Sequence, residues 1–279
     1  MAWSDGLAYW TEGDTAYVSL VFTWRIHDAR KIALWQRALG RKVVAGGPGL
    51  FKPKLKAMIS DLAEVRSDYA EAVTRHNSLA TFASRGCPVG CAFCIVPKME
   101  GAKFTLLPDF TPRPILCDNN LSALPFDYQE HIVRKYTDAG VPLKDANSGF
   151  EPRTFTEDVY RLWKPLNQGP WRFAYDDMPE GGDVQRTMRM LESEPQKKKR
   201  VYVLVGNEPF SDCMMRIRQV IEGGCEPPVQ PEMPLDAIRK EPVVKFDWDR
   251  QTLTDVARWA NGWVWKKVPF EQYDRSRRS

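Results

Sequence analysis

Three cysteines, Cys87, Cys91 and Cys94, fall within eight residues of one another in SRGCPVGCAFCIVPKMEG (84–101). Their spacing is C-x3-C-x2-C. Neighbours this close do not readily meet disulfide geometry, and three is an odd number. Thiolates are soft ligands suited to zinc and to iron–sulfur clusters. A structural zinc site wants a fourth ligand. His76 lies eleven residues before Cys87, and Cys117 sits in the next expected strand. Neither has a ligand-like spacing. Three ligands instead leave one iron of a four-iron cluster without a protein donor, and an open coordination position implies chemistry rather than scaffolding.

Such a loop must be held by regular elements. Residues 17–24 read as a β-branched and aromatic strand, 25–40 as a helix ended by Gly40, and 41–47 as a short strand running into a Gly-Pro turn. That is a βαβ unit. From residue 79 the alternation repeats. Strands are expected at 79–84, 113–120, 141–150, 171–177 and 200–208, with a last one at 227–235 demoted by its prolines. Helices are expected at 127–140, 156–166 with Thr156 as N-cap, 183–193, and 211–224. About six βα units thus occupy 79–235. An array of this kind builds a parallel sheet or barrel with its function on the loops after the strands. The cysteine loop follows the first strand of the array.

C-x3-C-x2-C with Phe93 just before the third cysteine, after the first strand of a βα array, resembles the radical S-adenosylmethionine superfamily. The resemblance covers roughly 79–265 and is strongest at the cysteines. It implies an α/β fold, a partial (β/α)6 TIM-like barrel with a short N-terminal βαβ unit. It implies that Cys87, Cys91 and Cys94 hold a four-iron, four-sulfur cluster. The amino and carboxylate groups of S-adenosylmethionine would chelate the open iron. A reduced cluster would then cleave that cofactor to a 5′-deoxyadenosyl radical, which removes a hydrogen atom from a substrate carbon. The resemblance places Asp118, Asn119 and Asn120 where the methionine amino group binds, although the family's Gly-Gly-Glu letters are absent. Arg153 falls where it could meet a carboxylate, Asp176 where ribose hydroxyls bind, and Gly206 and Glu208 near the adenine. Phe93 joins the same cofactor-binding set. Electrons would come from a one-electron reductant of the flavodoxin or ferredoxin type, in a reducing, cytoplasmic setting.

Residues 1–76 form a leader similar to the end of a cobalamin-binding Rossmann-like domain, followed by the barrel at 77–240 and a helical basic and aromatic extension at 241–279. The leader lacks the D-x-H-x-x-G segment that supplies a histidine to cobalt, and its local histidine is His27. It therefore reads as a structural remnant, which argues against cobalamin.

The chain has 279 residues, 43% apolar and 27% charged, with a formal net charge of +4. That composition excludes a disordered or collagen-like chain. No stretch approaches the roughly 20 apolar residues that span a bilayer, so no membrane partner is expected. The opening MAWSDGLAYW shows no secretory signal. The run 197–200 (KKKR) reads as a solvated loop, and His131 as a surface or packing residue. Among the other cysteines, Cys117 is the candidate catalytic hydrogen donor because it adjoins Asp118. Cys213 and Cys225 read as small buried hydrophobes.

The C-terminal stretch interleaves Trp259, Trp263 and Trp265 with Lys266, Lys267, Arg275, Arg277 and Arg278. Aromatics among cations can stack bases and neutralise phosphates. Three functions compete: a radical enzyme on a nucleic-acid base or nucleotide, a radical enzyme on a small metabolite, and a zinc-stabilised binding module.

Overall fold

A computed structural model describes residues 3–66 and 72–274. The chain opens with a hairpin of β1 (Leu7–Glu12) and β2 (Thr15–Leu20), paired antiparallel from Leu7–Leu20 to Glu12–Thr15. Gly13, at φ +55°, supplies the positive φ that a two-residue hairpin turn needs. Sequence periodicity did not reveal β1, whose alternation is weak because Tyr9 is exposed. The strand expected at 17–24 ends at Leu20, because residues 23–25 turn as a short 3-10 helix into α1 (Ile26–Ala38). β3 (Lys42–Gly46) then runs parallel to β2, α2 (Pro53–Ala57) follows, and β4 (Glu64–Val65) closes the sheet in the order β1-β2-β3-β4. Ala29 and Ala33 are fully buried and let α1 approach the sheet closely. With Val18, Leu20, Ile26, Leu55 and Ile59 they form a core of their own.

α3 (Ala72–His76) leads into the second region. There β5 (Ala80–Thr81) precedes β6 (Ser84–Arg85), the cysteine loop, α4 (Val96–Met99) and β7 (Thr105–Leu106). β8 (Ile115–Leu116) is followed by α5 (Phe126–Asp138), and β9 (Asp145–Ala146) by α6 (Glu157–Trp163). β10 (Trp171–Tyr175) leads to α7 (Gly181–Met190), β11 (Lys199–Val205) to α8 (Phe210–Glu222), and β12 (Val229–Pro231) to α9 (Arg250–Asn261). The expected N-cap is present, with Thr156 Oγ1 accepting from Val159 N at 3.3 Å.

The result is a mixed α/β architecture with several small sheets. Strands β5-β8-β9 form one parallel sheet and β10-β11-β12 another, while β6 and β7 pair as an antiparallel ribbon. Where the resemblance implied one curved six-stranded sheet, the ladder is divided. The two sheets meet at the Leu143–Asn167 bridge and at Phe150 N, which donates to Arg172 O at 2.8 Å. Alternate residues of β10 and β11 (Trp171, Phe173, Tyr175; Val201, Val203, Val205) enter one large core with Phe150, Phe155 and Trp163.

The boundaries drawn from sequence shift in two places. α9 is not an appendage: Leu253, Val256, Trp259 and Ala260 are buried in the main core, so α9 is the helix following the sixth parallel strand. Residues 236–240 reach back to the leader. Asp236 pairs with Lys52 at 2.8 Å, Thr23 donates to Ala237 O, and Ile238 packs on the leader core. Among the described residues no helix is long and apolar enough to cross a membrane.

Candidate functional site at the cysteine loop

The neck of the loop is built from side chains rather than from a ladder. Asp118, at the end of β8, is fully buried. Its carboxylate accepts from Ala83 N at 2.7 Å and Ser84 Oγ at 2.5 Å, which fixes the bend between β5 and β6. Burial pushes this carboxyl up to about 6. The Asp118 carboxyl is therefore turned inward, toward Ala83 and Ser84. Gly86 follows with φ +84°, and a Cβ there would stand 2.1 Å from Lys103 O, so only glycine fits. Glu100 then closes the neck. It pairs with Arg85 and accepts from Gly86 N at 3.0 Å and Asn119 Nδ2 at 2.7 Å. Asn119 also donates to Gly86 O at 3.3 Å, so its role is to hold the loop.

Within the loop, Cys87, Cys91 and Cys94 are free, half-buried thiols. Two of the sulfurs have an N–H donor: Asn120 Nδ2 lies 3.9 Å from Cys87 Sγ, and Val96 N lies 3.4 Å from Cys94 Sγ. Burial pushes the Cys91 thiol up to about 11, against the pull of Arg153, and Cys94 is pushed up by burial and by the charge of Cys87. Phe93 is half-buried between them. Among the described residues no three His, Cys, Asp or Glu side chains form a group able to hold a single metal ion. Tetrahedral zinc, with Zn–S bonds of roughly 2.3 Å, would need sulfurs drawn closely together. His76 is not a fourth ligand, because its ring nitrogens meet Ser4 Oγ at 2.6 Å and Ser19 Oγ at 2.8 Å.

The loops after the later parallel strands converge on the cysteines. After β9, Arg153 pairs with Glu151 at 2.7 Å and reaches Glu180, beyond β10, at 3.8 Å. Arg153 is thus already shared between two carboxylates. Asp176 ends β10. Burial pushes its carboxyl up to about 7, and the neighbouring Glu180 pushes the same way. Its main chain is fixed on both sides: Asp176 N donates to Glu180 at 2.8 Å, and Asn207 donates to Asp176 O at 2.6 Å. Gly206 is buried at the end of β11, and Glu208 accepts from Met178 N at 3.3 Å. Glu208 Oε2 is 2.9 Å from a guanidinium nitrogen of the fully buried Arg216 but lies off its N–H axes. Those axes serve Asn207 Oδ1 at 3.2 Å and Cys213 Sγ at 3.3 Å instead. Glu208 Oε2 and Asp177 Oδ1 are buried without a hydrogen-bond partner.

Of the residues expected at the site, Asn120 reaches Cys87 Sγ and Asn119 reaches the main chain of Gly86, while Arg153 is held by Glu151 and Glu180. The structure turns Asp118 inward and ties Glu208 to Arg216. Cys117 is buried, and its thiol is pushed up to about 12 by burial and then by Asp118. Sequence reasoning missed Glu100, Glu151, Glu180 and Arg216. Each acts across a loop or between elements, and no periodicity or motif marks such a residue.

No family model matches the chain, and no curated protein does. Among solved structures it is similar to the crystal structure of Streptococcus suis SuiB. That match has 10% identity and a TM-score of 0.41, over 98% of this chain and 71% of the other. The crystal structure of SuiB bound to S-adenosylmethionine matches at 9% identity and the same TM-score of 0.41, over 98% of this chain and 71% of the other. A likeness this loose does not bear on chemistry.

The aromatic and basic C-terminal stretch divides. Trp259 is 3% exposed and donates to Val268 O at 2.9 Å, Trp265 is half-buried against the core, and Trp263 is 50% exposed. Arg275, Arg277 and Arg278 lie outside the described residues.

Proposed function

We infer that the chain is a radical S-adenosylmethionine enzyme in which Cys87, Cys91 and Cys94 would hold a four-iron, four-sulfur cluster. One observation carries this reading. Three free thiols share one loop after the first short strands of a parallel βα array, and N–H donors face two of them. When bound, the cluster with S-adenosylmethionine supplies a carbon radical able to remove hydrogen from an unactivated carbon. The protein's part is to orient and enclose. Glu100 and Asn119 hold the loop closed at its neck. Asp176, fixed at both its main-chain groups, would present a carboxyl to ribose hydroxyls, and buried Gly206 would let the adenine approach the end of β11. A flavodoxin- or ferredoxin-type protein would supply the electron.

The substrate we favour is a small metabolite rather than a nucleic acid. The case for a base or nucleotide drew on the C-terminal tryptophans together with their Lys and Arg neighbours, of which Arg275, Arg277 and Arg278 lie outside the described residues. Trp259 and Trp265 pack on the body, and Trp263 is the exposed ring of the three.

Anaerobic reconstitution with iron and sulfide tests the assignment. The wild-type chain is expected to turn brown and to retain close to four irons, and the variant with all three cysteines replaced by Ala none. Retention of a full cluster by that variant would sink the reading. A colourless, zinc-loaded wild type would favour the binding module. Tight, salt-sensitive binding of a single-stranded RNA would restore the nucleic-acid substrate.

A further inference from the structure

Apart from the cysteine loop, a groove of about 340 Å³ runs between α8 and the segment that follows α9. Met214, Ile221, Trp259 and Phe270 give it an apolar lining. Small-molecule sites are commonly apolar clefts of roughly 300–1,000 Å³ with a few polar groups. The wall beyond α9 is fixed by hydrogen bonds. Lys266 N donates to Trp263 O at 3.1 Å, Lys267 N to Val264 O at 2.8 Å, and Trp259 Nε1 to Val268 O at 2.9 Å. Trp263 starts this wall at φ +53°, a left-handed conformation that a bulky residue rarely adopts.

The rim of the groove is basic. Arg218, Lys266 and Lys267 line it together with one acid, Glu271. Glu271 pairs with Arg218, and Lys266 shares Glu226 at 3.6 Å. Lys267 Nζ has no ion pair or hydrogen bond among the described residues. In the same wall, Trp265 Nε1 is buried without an acceptor. A buried indole N–H ordinarily finds one, and an unmet donor is costly. The groove thus combines aromatic surface, an unpaired cation and a donor that lacks an oxygen.

We propose that this groove binds a small aromatic carboxylate, with its ring in the apolar lining and its carboxylate toward Lys267. Charge complementarity selects the anion, and the rings of Trp259, Trp265 and Phe270 select a flat apolar body. The proposal is independent of the cluster reading and of any chemistry at the cysteine loop.

The test is isothermal titration calorimetry of the full chain with 2-naphthoate, with melting temperatures measured alongside. One saturable site is expected, with a dissociation constant on the order of 1 mM or tighter. The uncharged isostere 2-naphthamide should bind about tenfold more weakly, and Lys267→Glu should weaken 2-naphthoate by a similar factor. Glu271→Gln removes the acid of the rim and should tighten binding about threefold, a gain that misfolding does not produce.

Equal affinities for 2-naphthoate and 2-naphthamide would overturn the proposal. So would affinities unchanged in Lys267→Glu and Glu271→Gln, which would place the ligand elsewhere. If the protein dimerises as it is concentrated and 2-naphthoate binding vanishes with it, a second copy covers the groove and the proposal fails. Displacement of 2-naphthoate by a single-stranded RNA would make nucleic acid the occupant instead.

Discussion

The two parallel sheets of the second region are held by different means. In β10-β11-β12 the strands β10 and β11 run five and seven residues, with alternate side chains buried along each. That sheet is a ladder with apolar packing behind it. In β5-β8-β9 each strand is two residues long. There the main chain is satisfied by side chains. Asp118 serves Ala83 and Ser84, Arg113 donates to Ser78 O at 2.5 Å, and Tyr128 donates to Ala83 O at 2.6 Å. The cysteine loop grows from the second kind of sheet. A long ladder places residues by register, whereas side-chain staples place individual loop atoms and allow irregular backbone near a ligand. Damage to the first sheet should therefore be global, and damage to the second local.

The largest expected effect is in the laddered sheet. Arg216 is fully buried, donates to Tyr175 O at 2.5 Å, and stands against Glu208. Arg216→Met removes one partner of a buried charge pair and should cost about 3–5 kcal/mol in urea unfolding, seen by every probe at once. A variant of wild-type stability would mean that apolar packing alone holds that sheet.

Next comes the buried carboxyl of the stapled sheet. Asp118 has a folded-state pKa of about 6, raised above its unfolded value of 3.8 chiefly by burial. Between those two values the native state holds the proton more tightly than the unfolded chain. Its contribution is therefore fully present below about pH 4 and is lost as pH rises through about 6, by roughly 3 kcal/mol. Asp176 and Glu180, also raised, add slopes of the same sign. Asp118→Asn should accordingly lose less stability than the wild type between pH 4 and pH 7. Identical pH profiles would show that the Asp118 carboxyl is solvated.

This contrast also explains what could be read in the sequence. β10 and β11 were legible because hydrophobic alternation writes a ladder directly into residue order. Thr156 was legible because capping is local. The spacing of the three cysteines lies within one loop and is a property of the sequence itself. The strands expected at 79–84, 113–120 and 141–150 shrink to two residues each, because side-chain staples replace ladder bonds and leave no periodic trace. Glu100 closes a contact with Gly86 and Asn119 across the loop, and no spacing rule links those positions. Arg153 was noticed for its fork, but its partner Glu180 comes from beyond β10, which no local spacing marks.

A smaller and more local effect is expected at Glu100. Glu100→Gln weakens its charged contacts with Arg85, Gly86 N and Asn119, by about 2 kcal/mol. Hydrogen exchange should speed up at the amides of residues 86–101 while those of β11 keep their protection. Equal acceleration in both places would erase the distinction between the two sheets.

The smallest effect tests the edge of the laddered sheet. Asn261, the last residue of α9, donates through Nδ2 to Val229 O at 2.9 Å and accepts through Oδ1 from Val229 N at 2.8 Å. Its amide thus takes the place of a neighbouring strand beside β12, covering an edge that would otherwise offer unpaired main-chain groups. Because Asn261 is exposed, water can replace both bonds when the side chain is removed, so Asn261→Ala should cost only about 1 kcal/mol. The consequence should be confined to β12, with the Val229 amide exchanging faster and β10 unaffected. If Val229 keeps its protection, α9 guards the edge by packing Leu253, Val256 and Trp259 on the core. The Asn261 staple would then be incidental to the protection of that edge.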